Sequence, residues 1–137
     1  MPEISGVLET CLYVENLERA ARFYEALLGF TKLGSDDRFC VFGVADRHVL
    51  LLFQRGATTQ PIPTPGGNIP PHDGMGQLHL AFSIPASELP AWEKHLAAQG
   101  VAIESKVHWP RGGWSIYFRD PDQHLVELVT PGCWPIY

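Results

Sequence analysis

The feature that most constrains this chain is an internal repeat. Gly6-Val7-Leu8-Glu9-Thr10-Cys11-Leu12-Tyr13-Val14 aligns with Gly76-Gln77-Leu78-His79-Leu80-Ala81-Phe82-Ser83-Ile84, its Gly and Leu positions recurring 70 residues later. Phe42-Gly43-Val44-Ala45-Asp46-Arg47-His48-Val49-Leu50-Leu51-Leu52 aligns in turn with Phe118-Arg119-Asp120-Pro121-Asp122-Gln123-His124-Leu125-Val126-Glu127-Leu128, where Phe, Asp, His and Leu coincide. The shift is too long for a solenoid. Two matches in the same order imply one structural unit used twice.

Periodicity gives the unit its content. Leu8, Leu12 and Val14 alternate with Glu9, Cys11 and Tyr13, the two-residue period of a half-buried strand. Asn16 then offers an N-cap and Glu18 an acid in the first helical turn. Leu17, Ala20, Ala21, Tyr24, Leu27 and Leu28 follow at helical spacing, and Gly29 is the stop. Strands are predicted at 30–33, 39–44 and 49–53, the last two around an Asp46-Arg47 turn. In the second copy a strand over 78–84 leads through Ser87 and Pro90, a helix-start pattern, to a helix carrying Leu89, Trp92 and Leu96 and ending at Gly100. Strands are predicted near 101–105, 115–118 and 125–129. The fold class is therefore α+β: two tandem βαβββ modules, over about 4–56 and 76–131. Between them residues 57–75, dense in Pro and Gly, should be a linker or loop without packed elements, and 132–137 form a tail.

Composition narrows the function. One domain suffices for 137 residues. A net charge of −5 argues against a nucleic-acid partner. No apolar run approaches the roughly 18 residues of a membrane helix, and Met1-Pro2-Glu3 opens no secretory signal. Cys11, Cys40 and Cys133 make no C-x-x-C pair, which suits reduced thiols in the cytoplasm.

Chemistry enters through residues a strand ought not to hold. Glu127 sits inside Leu125-Val126-Glu127-Leu128-Val129, where an unpaired carboxylate would cost several kcal/mol or take up a proton. It faces solvent, pairs with an Arg such as Arg119, or meets a cation. Glu9 and His79 occupy equivalent places in the two copies, opposite the Leu and Val positions that pack on the helices. A pseudo-two-fold relation would bring those faces together. Glu9, His79 and Glu127 then form a divalent-metal set of one imidazole and two carboxylates. Leu51, the counterpart of Glu127, cannot bind a metal, which leaves open coordination positions, as in a catalytic site.

These same segments, with Asn16-Leu17-Glu18-Arg19-Ala20-Ala21-Arg22-Phe23-Tyr24-Glu25-Ala26-Leu27-Leu28-Gly29-Phe30 and Ser115-Ile116-Tyr117-Phe118-Arg119, resemble the vicinal oxygen chelate superfamily. That superfamily covers glyoxalase I, bleomycin-resistance proteins, fosfomycin-resistance transferases and extradiol dioxygenases. The resemblance implies paired βαβββ modules forming a curled mixed β-sheet with a metal and substrate cavity, often in a homodimer, with Glu9, His79 and Glu127 on the ligand positions. Glu9 departs from it, since many members carry His there, so a two-His-one-carboxylate iron site is not reproduced. The expected function is a divalent-metal enzyme of glyoxalase or dioxygenase type, holding two adjacent oxygens of a small oxygen-rich molecule. Fe, Mn, Zn, Ni and Mg are all admissible, and Glu9 or Glu127 is the candidate base. The alternative is a bleomycin-resistance-like protein that sequesters a small molecule without catalysis.

Ser115 and Tyr117 alternate with Ile116 and Phe118, which sets them on the wall shared with Glu127; the resemblance implies substrate contacts there, the equal alternative being a Tyr117 that packs with its hydroxyl in water. His72, in the loop before His79, is a candidate substrate donor, with a solvent-exposed loop histidine as the plainer reading. Arg111-Gly112-Gly113 either binds an anionic group or forms a plain hairpin turn. His48 and His124 precede strands in matching turns and read as structural. Trp109, Trp134 and Tyr137 read as core or cover, and Cys11 and Cys40 as small hydrophobes.

Overall fold

The computed structural model describes Met1–Tyr137. The chain divides into two compact units, Met1–Met75 and Gly76–Tyr137. Each contains one βαβββ module built on a mixed four-stranded sheet.

In the first unit β1 (Glu9–Val14) leads to α1 (Leu17–Leu28), then β2 (Thr31–Ser35), β3 (Phe39–Val44) and β4 (His48–Gln54). The Asn16 side chain accepts the Arg19 N–H at 2.9 Å, satisfying one of the orphan donors at the helix start. Gly29 ends the helix at φ 68°, a conformation glycine adopts without strain. The sheet order is β1-β4-β3-β2, with β1 parallel to β4 and the other neighbours antiparallel. A parallel pair needs a crossover connection, and α1 with the two following strands supplies it. Leu12, Val14, Cys40, Phe42, Leu50 and Leu52 alternate onto one face and are at most 1% exposed. Ala20, Ala21, Tyr24 and Leu27 are the buried residues of α1. A fully buried Leu or Phe of this kind contributes about 1.5–3 kcal/mol. The opposite face carries Glu9, Cys11 and Tyr13 on β1, with Cys11 in register with Leu51 and Tyr13 with Phe53.

Two details differ from the sequence reading. The β3–β4 turn centres on Ala45 and Asp46, both left-handed at φ 49° and 54°, one residue earlier than expected. Two successive left-handed residues make a primed turn, closed by the Arg47 N–H to Val44 O at 3.2 Å, and Arg47 makes the loop three residues long. The register of β2 shifts between Lys32 and Gly34, which leaves Leu33 exposed and carries the strand on to Ser35.

The Pro/Gly segment is not free of regular structure. Ile62–Thr64 (β5) and Gly67–Ile69 (β6) pair as an antiparallel hairpin, Pro63 opposite Asn68. A two-stranded ribbon has outward-facing edges on which a residue without an N–H is tolerated. The loop is fastened at His72, whose N–H donates to Thr58 O at 3.0 Å while the Thr58 hydroxyl donates to His72 O at 2.5 Å.

In the second unit β7 (His79–Ser83) is followed by a 3₁₀ turn (Ala86–Glu88), α2 (Leu89–Ala98), β8 (Ser105–His108), β9 (Trp114–Arg119) and β10 (Leu125–Val129). Their order is β7-β10-β9-β8, again with the first pair parallel. Ser87 lies inside the 3₁₀ turn and caps nothing, whereas Pro90 sits in the first turn of α2, where its missing N–H is harmless. The strand expected near 101–105 lies instead at 105–108. Gly100 turns at φ 70° and the Val101 N–H is held by Leu96 O at 2.9 Å, so the chain reaches the sheet only at Glu104, whose N–H donates to Tyr117 O. Ile116, Phe118, Val126 and Leu128 form the apolar core at no more than 1% exposure.

The two histidines before matching strands do matching structural work. His48 Nδ1 meets Val7 O at 2.8 Å, and buried His124 accepts the Leu78 N–H on Nδ1 at 2.9 Å. No helix is long and apolar enough to cross a membrane.

Candidate metal centre

Alternation along β10 sends Val126 and Leu128 into the core and turns Glu127 to the other face. There Glu127 is 6% exposed and its partners come from the neighbouring strands. From β9, directly across the ladder, the Tyr117 hydroxyl donates to Glu127 Oε1 at 3.0 Å, and Ser115 donates to the same oxygen. From β7, His79 Nε2 stands 3.2 Å from Oε2. Arg119 is not the partner of Glu127. Its guanidinium is taken up by Glu104, at 2.7 and 3.1 Å.

The imidazole is oriented from behind. His79 Nδ1 lies 2.9 Å from Leu125 O, and a carbonyl only accepts, so the proton of a neutral ring sits on Nδ1. Nε2 then presents a lone pair to a carboxylate oxygen that also carries lone pairs. Two acceptors at 3.2 Å repel unless a proton or cation lies between them. The separation also suits two donors sharing one ion at the usual ~2.0–2.2 Å ligand distances. The donor set thus fits a divalent metal: one imidazole nitrogen and one carboxylate oxygen converge, each with its other polar atom already engaged. No third His, Cys, Asp or Glu of this unit joins them.

Two further residues shape the site, and sequence reasoning missed both roles. Trp109, between β8 and β9, donates its indole N–H to Ser115 Oγ at 2.7 Å. Cys133 lies in the C-terminal tail near enough to Glu127 that burial, followed by the carboxylate charge, pushes its thiol above the ordinary value. Burial likewise raises the Tyr117 phenol; the Ser115 hydroxyl opposes this and the Glu127 charge adds to it. Tyr117 therefore stays protonated, a donor across the neutral range. The sequence marks Trp109 only as an aromatic beside Pro110 and Gly112, and nothing in that pattern announces its hydrogen bond.

The structure thus brings together His79, Glu127, Ser115 and Tyr117. Glu9 belongs to the first unit, exposed at the start of β1 and in register with Val49. His72 is also in that unit. Its Nδ1 is 2.6 Å from the Tyr13 hydroxyl and its ring stands edge-on to Phe53 at 4.7 Å, so this loop histidine is held in place though exposed. Arg111 is exposed in a turn closed by Trp109 N–H to Gly113 O and Gly112 N–H to Trp109 O, at 2.8 and 2.9 Å. A cavity of about 560 Å³ opens beside the first turns of α1, lined among others by Glu15, Glu18, Asp36, Asp37 and Cys40. It contains none of the expected site residues; Arg22 and Lys32 also line it and no histidine does.

Comparison with known proteins places these observations in a lineage. The sequence pattern of the Glyoxalase/Bleomycin resistance protein/Dioxygenase superfamily matches residues 6–128. The chain is 45% identical over 129 residues to metallothiol transferase FosB of Bacillus licheniformis, covering 93% of this chain and 77% of that one. It is 28% identical over 129 residues to metallothiol transferase FosB of Shouchella clausii, covering 93% and 81%. Among solved structures, lactoylglutathione lyase from Agrobacterium tumefaciens superposes with a TM-score of 0.88 at 28% identity, covering 98% of this chain and 99% of that one.

Proposed function

Because the chain belongs to the Glyoxalase/Bleomycin resistance protein/Dioxygenase superfamily, also known as the vicinal oxygen chelate superfamily, we propose that it is a divalent-metal-dependent enzyme acting on a small oxygen-rich molecule. The observation that carries this reading is the convergence of His79 Nε2 and Glu127 Oε2. Glu9, the first-module counterpart of His79, is the proposed third ligand. When bound, the ion supplies Lewis acidity to two adjacent substrate oxygens.

The chain's own groups do the rest. Buried Glu127 with its two hydroxyl donors sets the charge and shape of one wall. Ser115 and Tyr117 hold that carboxylate and border the substrate. His72 and Arg111 are proposed as further contacts, His72 with its ring orientation fixed by Tyr13 and Phe53. Glu9, on an exposed strand end, is the better placed of the two acids to give up a proton-accepting oxygen. Glu127 is held on both oxygens.

Within the superfamily, transferase or lyase chemistry is favoured over oxygen insertion. A metallothiol transferase and a lactoylglutathione lyase are similar over nearly the whole chain, and both names involve a thiol. Glu9 also leaves one histidine where a two-His-one-carboxylate iron site needs two. We place the enzyme in the cytoplasm, where its three free cysteines stay reduced, and propose a two-fold homodimer, the commonest closed assembly.

Metal analysis after reconstitution tests the reading. Wild type should retain close to one divalent ion per chain, and His79→Ala and Glu127→Ala should lose it. Equally low occupancy in all three would remove the enzyme and leave ligand sequestration as the function.

A further inference from the structure

We propose that Trp109 is a positioning residue for the metal centre: its indole N–H fixes the direction of the Ser115 hydroxyl and so decides which oxygen of Glu127 is left for the ion. The inference rests on the metal reading above and concerns a residue that touches neither the carboxylate nor the imidazole.

The argument is one of donors and acceptors. An indole nitrogen only donates. At 2.7 Å from Trp109 Nε1, Ser115 Oγ must accept, so its own hydrogen has to point elsewhere. Ser115 is fully buried, and its hydrogen can reach Glu127 Oε1 and the Tyr117 oxygen, of which the structure shows it donating to Oε1. The first step, Trp109 → Ser115, is therefore forced, and since the Tyr117 hydroxyl is itself a donor to Oε1, the chain runs Trp109 → Ser115 → Glu127. With the Tyr117 hydroxyl also donating at 3.0 Å, Oε1 receives two hydrogen bonds and Oε2 alone faces His79. Without the indole N–H, the Ser115 hydroxyl is free to rotate. Oε1 then loses a committed donor, and the carboxylate can turn either oxygen toward the ion. Hydrogen bonds in such a chain also polarise one another.

Two substitutions separate this role from packing. Trp109→Phe keeps an aromatic ring and removes the donor. Trp109→Gln removes the ring and keeps an amide nitrogen the same number of bonds from Cα as the indole nitrogen. Two readouts apply. In metal-free protein labelled at the glutamate δ-carbon, with Glu127 assigned through Glu127→Gln, the carbon resonance reports the hydrogen bonds on the carboxylate. Titration with Co(II), followed by visible absorption, reports the consequence. Trp109→Phe and Ser115→Ala should both move the resonance and weaken Co(II) binding by about 10–100-fold, as loss of such supporting contacts generally does. Trp109→Gln should stay near wild type in both. The double variant Trp109→Phe/Ser115→Ala should bind no more weakly than Ser115→Ala, because the indole acts only through the hydroxyl.

The proposal is overturned if Trp109→Phe behaves as wild type, if Trp109→Gln is the more damaging change, or if the double variant shows the product of the single losses. Should wild type take up no Co(II), the metal reading fails by itself. The carbon resonance still decides whether Trp109 orders the carboxylate.

Discussion

Glu127 shows how a single side chain carries functional information. A carboxylate between apolar neighbours is costly unless engaged, and each of its oxygens is engaged by a different strand. The sequence exposes this residue as a charge out of place, and it exposes His79 through the repeat. It does not expose Trp109, whose donor role depends on how the turn after β8 folds back toward Ser115. Gly74 is equally silent in sequence. A Cβ placed on it would run into the ring of Tyr13, whose hydroxyl also binds His72. Gly74→Ala should therefore destabilise the protein by about 1–3 kcal/mol, the usual cost of forced overpacking. Urea denaturation would measure this as a lower midpoint at unchanged slope.

At the scale of elements, the two ends of α1 are the readable part. Asn16 by its side-chain acceptor and Gly29 by its left-handed backbone bracket α1, and Asn16→Ala should cost about 1 kcal/mol by the same denaturation assay. Strand limits were less readable. Residues 101–103 carry strand-like apolar residues, but Gly100 and the Val101 hydrogen bond hold them at the end of the helix. The β5–β6 hairpin was hidden because proline argues against strands, although a two-stranded ribbon accommodates it. The β2–β3 connection adds a pH-dependent term. Burial alone would raise the Asp36 carboxyl, yet the Arg38 and Phe39 N–H groups and the Arg38 guanidinium hold it below its ordinary value. A carboxyl depressed on folding stabilises the native state fully above its unfolded pKa, about 3.9, and loses that contribution as pH falls through the folded value. The stability gap between wild type and Asp36→Asn should accordingly be constant from pH 7 to about pH 5 and shrink toward pH 3. A gap independent of pH would remove Asp36 from the account.

For the molecule as a whole, duplication explains both the architecture and its asymmetry. Both modules keep the strand-helix-strand-strand-strand order and the parallel first pair. They differ at the positions proposed to carry chemistry: Glu9 corresponds to His79, while Leu51 corresponds to Glu127. The second module therefore holds two proposed ligands and the first holds one. Light scattering should give a particle of twice 15.2 kDa if the proposed dimer forms. The central claim is that Glu9, His79 and Glu127 share one cation, and anomalous diffraction from crystals grown with Mn(II), Co(II) or Zn(II) tests it most directly. The account predicts one strong peak within ligand distance of all three side chains, whether they come from one chain or two. A peak seated elsewhere, or one that Glu9 or the His79–Glu127 pair does not touch, would contradict it.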